Sequence, residues 1–397
     1  MLKFFRTSSV AKSIAALIFA ASLTAPPQTL AETEQTEREY LLNEEGALTV
    51  EDQQLDNGLY LDIYEIETEP NQDLVILLGS DDFDSYLFVF DADWNKVAEN
   101  DDFRGTHSGV ILENTNGGIY HVVPTSAQAE ALGTYFLTVR KASASESANV
   151  KANNIFAAAR ELYDEGSADS LREARQLWLT ALELYRQVEN VSAQAETFDK
   201  LGFVADRLGE KELALSQYDR ALGIYQSLGD RRGEAITTNN MGHVFSTTGD
   251  KHKALEYYSK SLEILREVGD RQWLGTTLNN IGAVHGALGN LEEALQYYEE
   301  SLPILREVEN QRGEALTLSN IGSIYDIFGE KQQALDYYEQ ALPILREIGD
   351  RGGQATALNN IGIVYDDLGE KDIALAYYQE GLPLSQIVGD RSGKPVP

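Results

Sequence analysis

Residues 235–268 read AITTNNMGHVFSTTGDKHKALEYYSKSLEILREV. Apolar residues and glycine at Ile236, Met241, Gly242 and Phe245 form a stripe of helical spacing, which Gly249-Asp250 interrupts. A second stripe follows at Ala254, Leu255, Tyr258, Leu262 and Leu265. Glycine at 249 suits the left-handed residue that ends a helix, and Asp250 can cap the next one. The stretch therefore predicts a helix hairpin, with small residues at 242 and 254 where its helices meet. Its landmarks return every 40 residues: Ala174, Ala214, Ala254, Ala294, Ala334 and Ala374; Leu182, Leu222, Leu262, Leu302, Leu342 and Leu382; Gly202, Gly242, Gly282, Gly322 and Gly362. A fixed period of this length marks stacked units that touch only their neighbours and build an elongated surface. Six pairs are predicted, at 151–164/170–187, 192–207/211–227, 232–247/251–267, 272–287/291–307, 312–327/331–347 and 352–367/371–387. The first is irregular, with Leu162 and Asp169 where later units have glycine, as befits a cap.

The order of small residue, aromatic, alanine, aromatic and small residue at Gly242, Phe245, Ala254, Tyr258 and Ser261 resembles the tetratricopeptide repeat. Thr238 replaces that family's early tryptophan and Arg266 its late proline. The period exceeds the family's usual length of about 34 and is similar to the long-repeat branch that includes kinesin light chains and many bacterial arrays. The resemblance covers residues 151–388 and implies an all-α superhelical solenoid that binds a protein or peptide partner in a concave groove. The face that lines this groove in relatives carries Asn240, Asn280, Asn320 and Asn360 here, with Lys200 in the same phase. Beside them stand Asn239, Asn279 and Asn359, with Asp199 and Ser319 completing the row, and His243, Ser246, Asp326 and Asp366 lie on adjacent turns. An asparagine can clamp a peptide backbone, having one acceptor and two donors, or it can bridge adjacent repeats; both roles stay open. Of the tyrosine pairs 257–258, 297–298, 337–338 and 377–378, the second member is expected in the core.

The 397 residues hold 64 acidic and 32 basic side chains, a formal charge of −32. That balance argues against nucleic-acid binding, which needs a clustered basic surface. With no cysteine there is no disulfide, thiolate metal site or cysteine nucleophile. Lys3, Arg6 and Lys12 precede an apolar run, 14–21, too short to span a bilayer, and Thr29-Leu30-Ala31 supplies small residues for cleavage. Residues 1–31 are thus expected to be a signal peptide. The mature chain would begin at Glu32, carry −35, lie in the periplasm or be secreted, and keep no integral membrane segment. Residues 32–46 read as a disordered lead.

From Leu48 the period becomes two. Strands are expected at 59–66, 73–78, 86–90, 109–113, 119–124 and 135–140, punctuated by Gly, Asn and Asp, the pattern of an all-β sandwich. Phe83-Asp84-Ser85-Tyr86-Leu87, Asn100-Asp101-Asp102, Gly118-Ile119-Tyr120 and Gly133-Thr134-Tyr135 resemble the bacterial pre-peptidase C-terminal domain, over residues 47–141. That family implies an accessory or binding domain. Residues 142–150 read as a linker. Alternating oxygen side chains at Asp91, Asp93 and Asn95, with Asp81, Asp82, Asp84, Asn100, Asp101 and Asp102 nearby, make calcium the one metal to consider; Asp84, Asp91, Asp93, Asp101 and Asp102 are its candidate ligands. Ordinary Asp- and Asn-rich turns explain the same residues.

No nucleophile elbow, His-Glu-x-x-His pair or phosphate loop occurs, and the five histidines fit no zinc template. The leading expectation is an exported, non-enzymatic scaffold for protein interaction. One alternative is a calcium-dependent, adhesin-like module centred on the β-sandwich. Another is a truncated relative of proteins in which arrays with this Gly-Asp-Arg-x-Gly-x-Ala wording precede a caspase-like domain. The tail, 389–397, reads as an opening seventh repeat cut short by prolines. The last helix, with Ile373, Leu375, Tyr378, Leu382 and Ile387, then keeps an uncovered apolar face, and a homodimer through the C-terminal repeat is the corresponding expectation.

Overall fold

The computed structural model describes residues 40–49, 52–54, 59–100, 108–113, 115–126 and 131–392. The signal-peptide stretch, Asp101, Asp102 and the last five residues lie outside them. The chain forms two compact units, Met1–Asn153 and Asn154–Pro397. An N-terminal β region is followed by twelve helices in a repeated array among the described residues. No described helix is long and apolar enough to cross a membrane.

The first unit contains β1 (Tyr40–Leu48), β2 (Gln53–Gln54), β3 (Tyr60–Leu61), β4 (Tyr64–Pro70), β5 (Leu74–Gly79), β6 (Ser85–Phe90), β7 (Lys96–Asn100), β8 (Ser108–Leu112), β9 (Asn116–Ser126) and β10 (Gly133–Lys141). One sheet runs β1-β10-β5-β8; the other runs β2-β3-β9-β6-β7, with β4 also paired to β9. Alternate residues of each sheet point inward, as period-two strands require. Leu74, Ile76, Leu78, Leu137 and Val139 from the first sheet thereby meet Ile66, Leu87, Val89, Tyr120 and Val122 from the second in one core. The expected strand 59–66 is divided at Asp62, whose carboxylate accepts from the Tyr135 hydroxyl.

Two readings are corrected in this unit. Residues 40–46 of the presumed disordered lead belong to β1, which pairs with β10 from Tyr40↔Arg140 to Leu48↔Gly133. Only Leu48 is buried in β1, so this edge strand is held by backbone pairing and shows little of the alternation that betrays a strand. The presumed linker is helix α1 (Ala144–Glu165). Ser143 and Glu146 cap its start reciprocally: the Glu146 carboxylate accepts from the Ser143 N–H at 2.9 Å, and the Glu146 N–H donates to the Ser143 hydroxyl at 3.2 Å. Arg140 grips the same carboxylate at 2.6 and 2.8 Å. Burial would raise the Glu146 carboxyl, but the hydrogen bonds from Arg140 and Ser143 outweigh it and hold it at about 2.

The remaining helices are α2 (Ala168–Gln187), α3 (Val191–Arg207), α4 (Lys211–Leu228), α5 (Arg231–Thr248), α6 (Lys251–Val268), α7 (Arg271–Leu288), α8 (Leu291–Glu307), α9 (Gln311–Phe328), α10 (Lys331–Glu347), α11 (Arg351–Asp367) and α12 (Lys371–Ser392). The expected pairs match these within a residue or two, apart from the outer ends of α1 and α12. Helix α12 runs on to Ser392, so residues 389–392, read as the opening of a seventh repeat, extend the sixth. Asp230, Asp270, Asn310 and Asp350 each cap a first helix by accepting a backbone N–H three residues on. The periodic glycine has a separate cause. A Cβ at Gly202, Gly242, Gly282, Gly322 or Gly362 would stand 2.5 to 2.9 Å from the ring of Tyr218, Tyr258, Tyr298, Tyr338 or Tyr378. Each hairpin closes by seating a tyrosine of its second helix on a bare stretch of its first.

Candidate partner-binding face

The first helices α3, α5, α7, α9 and α11 carry the asparagine rows, and the structure separates these rows by burial. The Thr237 hydroxyl donates to the Asp199 carboxylate at 3.0 Å, that of Thr277 to the Asn239 side-chain oxygen at 3.1 Å, and that of Thr317 to the Asn279 oxygen at 2.9 Å. The side-chain amides of Asn240 and Asn280 reach the same acceptors, Asp199 at 3.4 Å and Asn239 at 3.3 Å. Asn239 and Asn279 are buried, 3% and 5% exposed, so they are rungs between consecutive repeats. Ser319 interrupts the series by donating to the Ala315 carbonyl of its own helix, and Asn359 in the last repeat is exposed.

Asp199 replaces the amide of the later rungs by a carboxyl. Burial raises it above the usual carboxylate value of 3.8, with Lys200, Thr237 and Asn240 only partly opposing. The folded chain therefore holds this proton to a higher pH than the unfolded chain. The group's contribution to stability is full below 3.8 and is lost as pH rises through the raised value. Asp199→Asn should increase stability at neutral pH and remove that part of the pH dependence. Thermal melts of both chains between about pH 4 and 8 check this, and parallel pH profiles would refute it.

The second row, Asn240, Asn280, Asn320 and Asn360, emerges gradually. Asn240 is buried, while Asn280, Asn320 and Asn360 are half-buried. His243 is exposed, its Nε2 3.7 Å from the Asp206 carboxylate. Ser246 and Asp326 face Lys251 and Lys331 of their own hairpins, at 2.8 Å from the Ser246 carbonyl and 2.7 Å from the Asp326 carboxylate. Tyr258, Tyr298 and Tyr338 are core residues, and their partners Tyr257, Tyr297 and Tyr337 are half-buried.

Helical spacing from the second row reaches residues that the sequence reading passed over. Positions four before, three after and seven after each asparagine share its face. In α5, α7, α9 and α11 these are Ile236, His243 and Thr247; Thr276, Ala283 and Ala287; Leu316, Ser323 and Ile327; Thr356, Ile363 and Asp367. Asp367 is the one carboxylate on this stripe, in a chain of net charge −32. Leu316, Ile327 and Ile363 are 52%, 63% and 40% exposed, so the stripe becomes apolar toward the later repeats. The arginines lie elsewhere: Arg266 pairs with Glu300 and Arg346 with Glu380, both at the same phase and joining successive second helices.

Among the described acidic residues of the β unit, Asp91 and Asp82 are each engaged in local contacts of their own. The Asp91 carboxylate accepts the N–H groups of Asp93 and Asn95 at 3.0 and 2.9 Å, an ordinary turn. Asp82 accepts both the N–H and the hydroxyl of Thr134 at 2.7 Å. Asp84 keeps one buried oxygen without a hydrogen-bond partner among the described residues. No group of three His, Asp or Glu side chains fit to hold a metal occurs among the described residues.

The family model of the tetratricopeptide repeat matches residues 212–267, 273–347 and 314–386. The helical unit thus carries tetratricopeptide repeats. No curated protein matches the chain. Among solved structures, BtubC (BKLC) from P. vanneervenii shares 22% identity over 64% of this chain and 96% of its own, with a TM-score of 0.47. The apo form of the quorum sensor NprR from B. thuringiensis shares 20% identity over 60% of this chain and 66% of its own, with a TM-score of 0.48. A putative kinesin light chain from Podosopora anserina, with nearly identical TPR-like repeats, shares 13% identity over 51% and 98%, with a TM-score of 0.41.

Proposed function

We propose that this chain is a non-enzymatic scaffold whose first-helix face binds an extended segment of another protein. The observation that carries this is the stripe, exposed, partly apolar and with Asp367 as its one carboxylate, on an acidic chain. Apolar side chains left in water along one face mark an association surface. Asn280, Asn320 and Asn360 stand beside them with amides suited to a peptide backbone. Leu316, Ile327 and Ile363 supply the anchors, so the bound segment places its own apolar side chains against the later repeats. The role of Asn239 and Asn279 is to hold the repeats that present this face.

The same proposal includes export. Lys3, Arg6, Lys12 and the apolar run 14–21 support a signal peptide, and the periplasm or cell exterior as the site of action. The β unit serves as an accessory domain of the pre-peptidase C-terminal kind, as its Phe-Asp-x-Tyr-Leu wording suggests. Ile373, Leu375 and Leu382 on α12 are 41%, 54% and 57% exposed, which supports a second copy meeting this end.

Selection of a displayed peptide library on the whole chain tests the binding face. Peptides with two or more apolar side chains are expected, and Leu316→Asp with Ile327→Asp should weaken them at least roughly tenfold, the loss of buried apolar contacts. Circular dichroism should be unchanged, since both residues are exposed. Peptides that bind the doubly substituted chain equally well would place the site elsewhere.

A further inference from the structure

The β unit displays one side chain that packing does not explain. Strands β6 and β7 are joined by residues 91–95, a loop closed on itself. The Asp91 N–H donates to the Asn95 carbonyl and the Trp94 N–H to the Asp91 carbonyl, each at 3.0 Å. The Asn95 side-chain amide donates to the Asp91 carboxylate, also at 3.0 Å. So braced, Trp94 sits at φ 63°, a left-handed conformation that asparagine or glycine adopts readily and a bulky residue does not. The indole gains little burial in return, being 42% exposed. One of its faces stacks on His121 at 4.1 Å and 8° between planes, and Phe90 lies 5.6 Å away. The imidazole beneath is 4% exposed, and its Nδ1 has no hydrogen-bond partner among the described residues. The indole is thus held rigidly from one side and left open on the other.

Carboxylates outnumber cations around it. Glu65 pairs with His121 across β4 and β9, and its carboxylate is 3.8 Å from the His121 Nδ1. Asp91 and Asp93 flank the indole in the loop, and Glu67 faces the exposed Ile119 one step along β9. Lys96, the cation of this hairpin, is bound to Glu99 at 2.6 Å. An open indole face attracts cations through its negative quadrupole, and tryptophan does so best among the aromatic residues. Carboxylates around its rim add attraction of the same sign and steer a positive group toward it. We propose that the open face of Trp94, with Glu65, Asp91 and Asp93, receives an arginine or lysine side chain from a basic protein segment. A neutral sugar ring could stack on the same indole, but it would leave these carboxylates without a counter-charge.

Calorimetric titration of the whole chain with tetra-arginine, tetra-lysine and an uncharged hexasaccharide, in salt near 0.15 M to screen distant charge, tests this. Tetra-arginine should bind saturably, with a Kd raised roughly three- to tenfold in Trp94→Leu, as expected for loss of a cation–π contact. Trp94→Phe should retain part of the affinity, and Glu65→Gln with Asp93→Asn should weaken binding while leaving the fold and the indole in place. Should Trp94→Leu fail to fold, that carboxylate pair and Trp94→Phe decide the matter. The proposal is overturned if no peptide binds, or if both of those variants bind as the parent does. It is also overturned if the hexasaccharide alone binds in a Trp94-dependent way.

Discussion

Gly282→Leu should destabilise the helical array by about 3 kcal/mol, the upper range for forcing extra methylenes into a packed interior. A Cβ at 282 would stand 2.7 Å from the Tyr298 ring, which is 4% exposed and cannot swing into solvent without opening its hairpin. Gly282→Ala separates two effects. The methyl improves helix propensity by about 1 kcal/mol, but it meets the same ring, so its net change should be near zero or unfavourable. Arrays of this kind do not unfold as one body. The measurement is therefore hydrogen exchange across α7 and α8 alongside urea unfolding. Wild-type protection of those two helices in Gly282→Leu would sink the account of the periodic glycine.

Asn239→Ala should cost about 2–3 kcal/mol, since it leaves a buried hydroxyl and a half-buried amide without that acceptor and opens a small cavity. Those donors are Thr277 and Asn280 of the next repeat. Asn320→Ala, half-buried and one residue off the rung phase, should change stability by under about 0.5 kcal/mol and act on partner binding. The contrast separates bridging from binding, which the spacing alone left open. Equal losses of stability in the two variants would mean that both rows hold the repeats together.

What was legible in the sequence follows from how each feature is encoded. Helix α5 was expected at 232–247 and runs from Arg231 to Thr248, because apolar spacing, a turn glycine and an Asp cap all mark the same ends. Strand β7, Lys96–Asn100, left no such mark: Lys96, Val97 and Glu99 are exposed, and backbone pairing to β6 defines it. The start of α1 was hidden by its small polar residues, although Ser143 and Glu146 already had capping-box spacing. The period revealed both asparagine rows at once. Neighbours on a helix differ by about 100° in direction, so only packing could show that Asn279 points into the next repeat while Asn320 reaches the surface. The apolar stripe at Leu316, Ile327 and Ile363 was visible in principle, by counting from the asparagines, but these residues break the strict identity that made the repeat conspicuous.

The rungs also bear on how such a gene can change length. Two neighbouring forty-residue segments each bring a hydroxyl donor and, two positions later, the acceptor for the successor: Thr237 with Asn239 and Thr277 with Asn279. Recombination that removed residues 240–279 would set Thr317 opposite Asn239, and duplication of the same segment would restore an identical joint. Copy number can therefore drift in this stretch without inventing a new interface, and the span of peptide the face can cover drifts with it. Junctions at Asp199 or Ser319 are not interchangeable in this way, since one brings a carboxyl and the other turns back on its own helix. Those two positions set the limits within which units can be exchanged.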